Sequence, residues 1–145
     1  MKVSNEIINI FPEIKKWRHE LHAHPELGYE EEWTSNFVAE KLESFGLEVH
    51  RGMAKTGVVG VLKGTNASFS GGGNKAIGLR ADMDALPMTE ENDFSYKSKF
   101  DGRMHACGHD GHTAMLLGAA KLLSSKKDFD GTVYFIFQPA EEGGG

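Results

Sequence analysis

Apolar positions recur along this chain with two periods, and the elements follow from them. Ile7, Ile10, Phe11, Ile14, Trp17 and Leu21 sit at helical spacing. That predicts one amphipathic helix near residues 4–22, with Pro12 as a site for a kink and His24-Pro25 as a stop. A second helix is predicted from about Glu31 to Phe45, with Phe37, Val38, Leu42 and Phe45 as its buried stripe and Gly46 as its breaker. Strand-like runs follow at Leu47–Arg51, Gly57–Lys63 and Lys75–Arg80, the last two joined by a glycine- and serine-rich connection over 64–74. Residues 112–124 predict a third helix, buried on most sides. Thr132–Phe137 is a continuous apolar, β-branched and aromatic run, which predicts a central strand covered on both faces. The order α-α-β-β-β-α-β predicts a layered α/β fold with a mixed sheet.

Composition narrows the classes of function. The 145 residues carry 16 Lys+Arg against 21 Asp+Glu, a net charge of -5, so nothing attracts the chain generally to nucleic acid or anionic membranes. No apolar stretch approaches the ~18 residues of a membrane span. With one cysteine, Cys107, an intrachain disulfide is impossible and a reducing compartment is expected. The N-terminal segment does not resemble a signal peptide, so a cytoplasmic location is expected and the Asn66-Ala67-Ser68 sequon is read as chance. The chain ends in Gln138-Pro-Ala-Glu-Glu-Gly-Gly-Gly145, a polar loop directly off its strongest strand. Such loops commonly hold active-site residues, so the chain is expected to be a fragment.

Two constellations carry candidate chemistry. Met104–His112 packs three His, one Cys and one Asp into nine residues. Thiolate, imidazole and carboxylate are the ordinary ligands of zinc and related ions, and Cys107 and His109 converge on one centre if the loop is extended. The second constellation is acidic: Asp82 and Asp84 lie two apart beyond a strand, hence on one side of it, and Glu141-Glu142 follow the Thr132–Phe137 run. Acids beyond strands beside a Cys/His loop suit metal-assisted hydrolysis, some holding the ion and one taking a proton from water. Three motifs are decoys. His19-Glu-Leu-His22 lacks the second His of a zincin helix, Gly71–Lys75 fails the Walker A spacing, and no papain-type sequence surrounds Cys107.

Four blocks carry a resemblance: Trp17–Glu31, Gly78–Pro87, Met104–Ala120 and Phe137–Gly143. In this order they resemble the N-terminal part of the M20 metallopeptidase superfamily, in its amidohydrolase branch of hippurate hydrolases, N-acyl-L-amino acid amidohydrolases and N-acetyldiaminopimelate deacetylases. The resemblance implies a zinc-peptidase-like layered α/β/α fold, incomplete at the C-terminus, with residues 1–145 as the first part of one catalytic domain. It implies two divalent ions per full-length subunit (zinc, manganese, cobalt or nickel) and a small N-acyl amino acid as substrate. Neither a nucleic-acid nor a membrane partner is expected, and the parent protein is expected to be a homodimer or higher oligomer. Carried over by position, Cys107, His109 and Glu142 resemble metal ligands and Glu141 the general base. Asp82 and Asp84 fall on a His-x-Asp pair in which Asp82 replaces the His, leaving open which of them acts. The His22–Gly28 block is read as structural, and Asp110 and His112 receive no role. Two further His ligands, the rest of the catalytic domain and a lid or dimerisation domain are expected beyond Gly145. The alternative is a non-catalytic fragment serving at most as a metal-binding or partner module.

Overall fold

The computed structural model describes residues 3–65 and 75–144 of the chain. Helix α1 spans Asn5–His22, α2 Glu32–Ser44 and α3 His109–Ser125; strands β1 Glu48–Met53, β2 Gly57–Lys63, β3 Ala76–Asp82 and β4 Thr132–Gln138 form one sheet. A single 3-10 turn, Glu141–Gly143, follows β4. The Asn66 sequon and most of the 64–74 connection lie outside the described residues.

The sheet order is β1-β2-β4-β3, with β1/β2 and β2/β4 antiparallel and β3/β4 parallel. The mixed α/β class is therefore as expected. A parallel pair needs a crossover, and α3 supplies it, so β3-α3-β4 is a βαβ unit. As a result the ends of β3 and β4 and the start of α3 come together at one edge of the sheet, which is where the candidate chemistry sits.

Hydrophobic burial joins the layers on one face. Val58 and Leu62 of β2, Ala81 of β3 and Val133, Phe135 and Phe137 of β4 pack with Trp17, Leu21, Val38, Leu42, Leu117 and Ala120 of the helices. Helices α1 and α3 run antiparallel, as the Glu6–Lys126, Glu13–Lys121 and Arg18–Asp110 pairs along them show. Their close approach depends on Gly118, where a Cβ would lie 2.5 Å from Ile14 Cδ1.

Two expectations are met only in part at this level. β4 was expected to be covered on both faces, yet its burial alternates, and Tyr134 (39%) and Ile136 (37%) are exposed. Among the described residues the helices pack on the other face, so this chain supplies one of the two layers expected to cover β4. The α1 stripe is likewise buried only from Ile14 to Leu21. Ile7 and Phe11 are exposed, although the Glu6–Lys126 pair keeps α3 alongside this end of α1.

Candidate metal centre

His109 is the hub, and the backbone decides which way it faces. Helix α3 begins at His109, three residues before the predicted start, because Gly108 adopts a left-handed conformation (φ 108°) that turns the chain into the helix. The Cys107-to-His109 loop is thus bent rather than extended, and the two residues still converge. His109 is 2% exposed. Its Nδ1 lies 2.9 Å from the Asp84 carbonyl and 3.2 Å from Asp84 Oδ1, both acceptors, so Nδ1 carries the proton. With Nδ1 committed to Asp84, Nε2 is the nitrogen through which the ring would bind a metal.

Around Nε2 stand three carboxylates: Asp82 Oδ2 at 3.3 Å, Glu141 Oε2 at 3.7 Å and Glu142 Oε1 at 3.8 Å. Two sets of ligand atoms fall within 4.8 Å of one another, Cys107-His109-Glu142 and Asp82-His109-His112. One imidazole nitrogen takes one ion, so either set offers three protein ligands to the centre that His109 serves, the number typical of a catalytic site. Acceptor-only carboxylates crowding a lone pair repel one another unless a cation sits between them, so the donor set fits a divalent ion. A hydrogen bond to the Glu142 carboxylate, then burial and the nearby negative charges, pushes the Cys107 thiol up; a bound cation reverses that balance.

Each acid has distinct surroundings. Asp82 ends β3 with Oδ1 2.7 Å from Arg80 Nη1, and its backbone carbonyl accepts from Thr113 Oγ1 at 2.8 Å. Asp84 is 1% exposed; Oδ1 faces His109 while Oδ2 accepts the Glu142 backbone N–H at 3.0 Å. The two Asp residues meet opposite nitrogens of the same ring, as their shared side of the strand end predicted. Glu141 and Glu142 depart from expectation. They lie in a 3-10 turn after Ala140 (φ 54°) rather than on an extended segment, so their side chains both approach His109 instead of diverging.

The supporting shell was largely invisible in the sequence. Glu31, fully buried, accepts from Thr56 Oγ1 at 2.6 Å and from the Ala140 backbone N–H at 2.8 Å, clamping the turn that carries Glu141 and Glu142. Glu26 accepts the Trp33 and Thr34 amides and so caps α2. That agrees with a structural role for the His22–Gly28 block. His112, unassigned from the sequence, places Nδ1 3.5 Å from Asp82 Oδ2. Its position three residues after His109, on the same helical face, was the signal available. His105 is buried with neither ring nitrogen partnered among the described residues, and burial pushes it down to about 4.

The sequence profile of peptidase family M20/M25/M40 matches residues 78–145, which hold every ligand described above. Residues 78–145 thus resemble the M20 peptidases. It is 52% identical over 143 residues to hippurate hydrolase from Campylobacter jejuni, covering 99% of this chain and 36% of that protein. It is 50% identical to N-acyl-L-amino acid amidohydrolase from Geobacillus stearothermophilus, covering 94% and 37%. Among solved structures it superimposes with a TM-score of 0.84 and 41% identity on the Bacillus subtilis YXEP protein, described as a dinuclear metal binding peptidase from the M20 family, over 93% of this chain and 37% of that one. The chain thus spans little more than a third of the length of these relatives.

Proposed function

We propose that this chain carries the first half of the catalytic centre of a metal-dependent amidohydrolase that cleaves the amide bond of N-acyl amino acids, hippurate among them. The observation that carries the reading is the His109 ring, with Nδ1–H donated to Asp84 and Nε2 facing Asp82, Glu141, Glu142 and Cys107. The names of the relatives support the substrate class.

When bound, a divalent ion supplies Lewis-acid polarisation of a carbonyl and of water. Cys107, His109 and Glu142 would hold it, with Asp82 and His112 as further donors. Asp84 keeps the His109 tautomer and pins the Glu142 backbone, a positioning role rather than proton transfer. Glu141, with 40% of its side chain exposed, reaches solvent as a general base must, accepts a proton from the attacking water and delivers it to the leaving amine.

The test is release of free amino acid from hippurate and N-acetyl amino acids by a protein of the relatives' full length carrying this chain, before and after chelation. Metal-dependent release is expected. Equal turnover after complete metal removal would overturn the reading.

A further inference from the structure

A second buried ionic cluster lies behind the metal centre, and the mechanism does not use it. His22, the last residue of α1, places Nδ1 2.8 Å from Asp110 Oδ2 and Nε2 3.0 Å from Glu90 Oε1. Both partners are carboxylates, which only accept, so both ring nitrogens donate and the ring is an imidazolium. His22 is 3% exposed and the side chains of Asp110 and Glu90 no more than 2%. Arg18 Nε also donates to Asp110 Oδ2 at 2.8 Å. Glu90 in turn accepts from the Ser98 backbone N–H at 2.6 Å and from Asn92 Nδ2 at 3.0 Å. His22 therefore joins three segments: α1, the loop after β3 that leads into Cys107, and the first turn of α3.

That first turn has no side-chain cap, and besides His22 it is held by Arg18 on Asp110, Asp84 on His109 and Thr113 on the Asp82 carbonyl. Its N-cap is Gly108, which has no side chain to cap with. His109 and Asp110 are consecutive and both buried, and on a helix consecutive side chains point about 100° apart. Holding Asp110 against α1 therefore constrains the direction of His109 together with its hydrogen bonds to Asp84. We propose that His22 is a positioning residue whose grip on Asp110 and Glu90 aims His109 at the Asp82, Glu141 and Glu142 carboxylates. The proposal rests on the metal-centre reading for its consequence but not for its geometry.

The experiment uses the 145-residue chain and four variants: His22→Gln, Glu90→Gln, Cys107→Ser and, as an equally destabilised control remote from the site, Leu47→Ala. The metal-free readout is the His109 Nδ1 proton in an NMR spectrum, held against the Asp84 carbonyl. The second readout is the Co2+ dissociation constant by calorimetry. His22→Gln is expected to broaden or abolish the His109 resonance and to weaken Co2+ binding about tenfold or more. Glu90→Gln, which preserves side-chain size, is expected to do the same to a smaller degree, and Leu47→Ala to leave both readouts unchanged while lowering the melting temperature. An intact His109 resonance in both His22→Gln and Glu90→Gln would overturn the proposal, even if Cys107→Ser loses Co2+ and so upholds the metal centre. Loss of that resonance in His22→Gln but not in Leu47→Ala would uphold the positioning, and Co2+ binding that Cys107→Ser leaves unweakened would overturn the metal-centre reading on its own.

Discussion

At the scale of single residues, what distinguishes this centre is that Asp82, Asp84 and Glu142 each have a different second contact. Cys107 and Glu142 share a hydrogen bond and lie in one ligand set with His109. Cys107→Ser is therefore expected to lower metal content sharply by elemental analysis; unchanged stoichiometry would remove Cys107 from the ligand set. Glu141 is more exposed than Glu142 (40% against 28%), so Glu141→Gln in a full-length protein is expected to retain metal and lose about 10²–10⁴-fold in turnover. Glu142→Gln is expected to lose metal first. The reverse pattern would exchange the two roles. Position in the sequence proposes these assignments but does not give their reason. Divergence along an extended segment does not separate two glutamates that share a 3-10 turn; what separates them is that Asp84 holds the Glu142 backbone and Cys107 its carboxylate.

At the scale of elements, loops and helix ends are held by buried acids rather than by local turn chemistry. Glu31 holds β2's entry turn at Thr56 and the turn after β4 at Ala140. Glu31→Ala leaves both donors buried and unpaired, and is expected to cost about 1–3 kcal/mol in urea denaturation for each group left unsatisfied. Insensitivity of the midpoint would show that the clamp is dispensable.

The His22 cluster gives α1 a pH signature. The Asp110 hydrogen bond raises the His22 pKa against the opposing effect of burial, and the Glu90 hydrogen bond and the charges of Asp110 and Glu90 add to the rise; Arg18, His19, His105, Phe94 and Tyr96 complete its surroundings. A group bound more tightly to its proton in the folded state stabilises most below its unfolded pKa of ~6.5 and loses that contribution as pH rises through the elevated folded value. Burial pushes the Glu90 carboxyl up, but hydrogen bonds from His22, Ser98 and Asn92 outweigh it and the net shift is downward. Its contribution is present above the unfolded value near 4.5 and disappears as pH falls through the folded value. The stability advantage of the parent chain over His22→Gln, from urea midpoints, is therefore expected to be largest near pH 5–6 and to shrink toward alkaline pH. An advantage that grows with pH would contradict an imidazolium at this position.

At the scale of the whole molecule, the sheet is lopsided. The helical layer covers one face, while Tyr134 and Ile136 stand exposed beside partly exposed Val59 and Val61 on the other. β3 is an edge strand among the described residues. Open apolar faces and unpaired edges are association surfaces. The 145-residue chain alone is expected to self-associate as its concentration rises, by light scattering after size exclusion, and Ile136→Lys to shift it toward monomer. A concentration-independent monomer would refute this. The chain alone is also expected to release no amino acid from hippurate, since the resemblance puts further His ligands outside it.

Local pattern alone determined a good deal here. Helix and strand periods were readable because each element alternates or repeats around its own axis, and the Cys107-to-His112 and Gln138-to-Glu142 stretches pointed by residue type and spacing to groups that the structure brings together. Tertiary structure decided the rest, because those decisions depend on pairs far apart in the chain. Glu31 meets Ala140 and His22 meets Asp110 across 109 and 88 positions. No local period encodes such contacts; they exist only once α1, α2 and the βαβ unit have buried their apolar faces against one another. The same packing chose which face of β4 is covered, turned α3 so that His109 and Asp110 look in different directions, and brought two strand ends and one helix start to a single point.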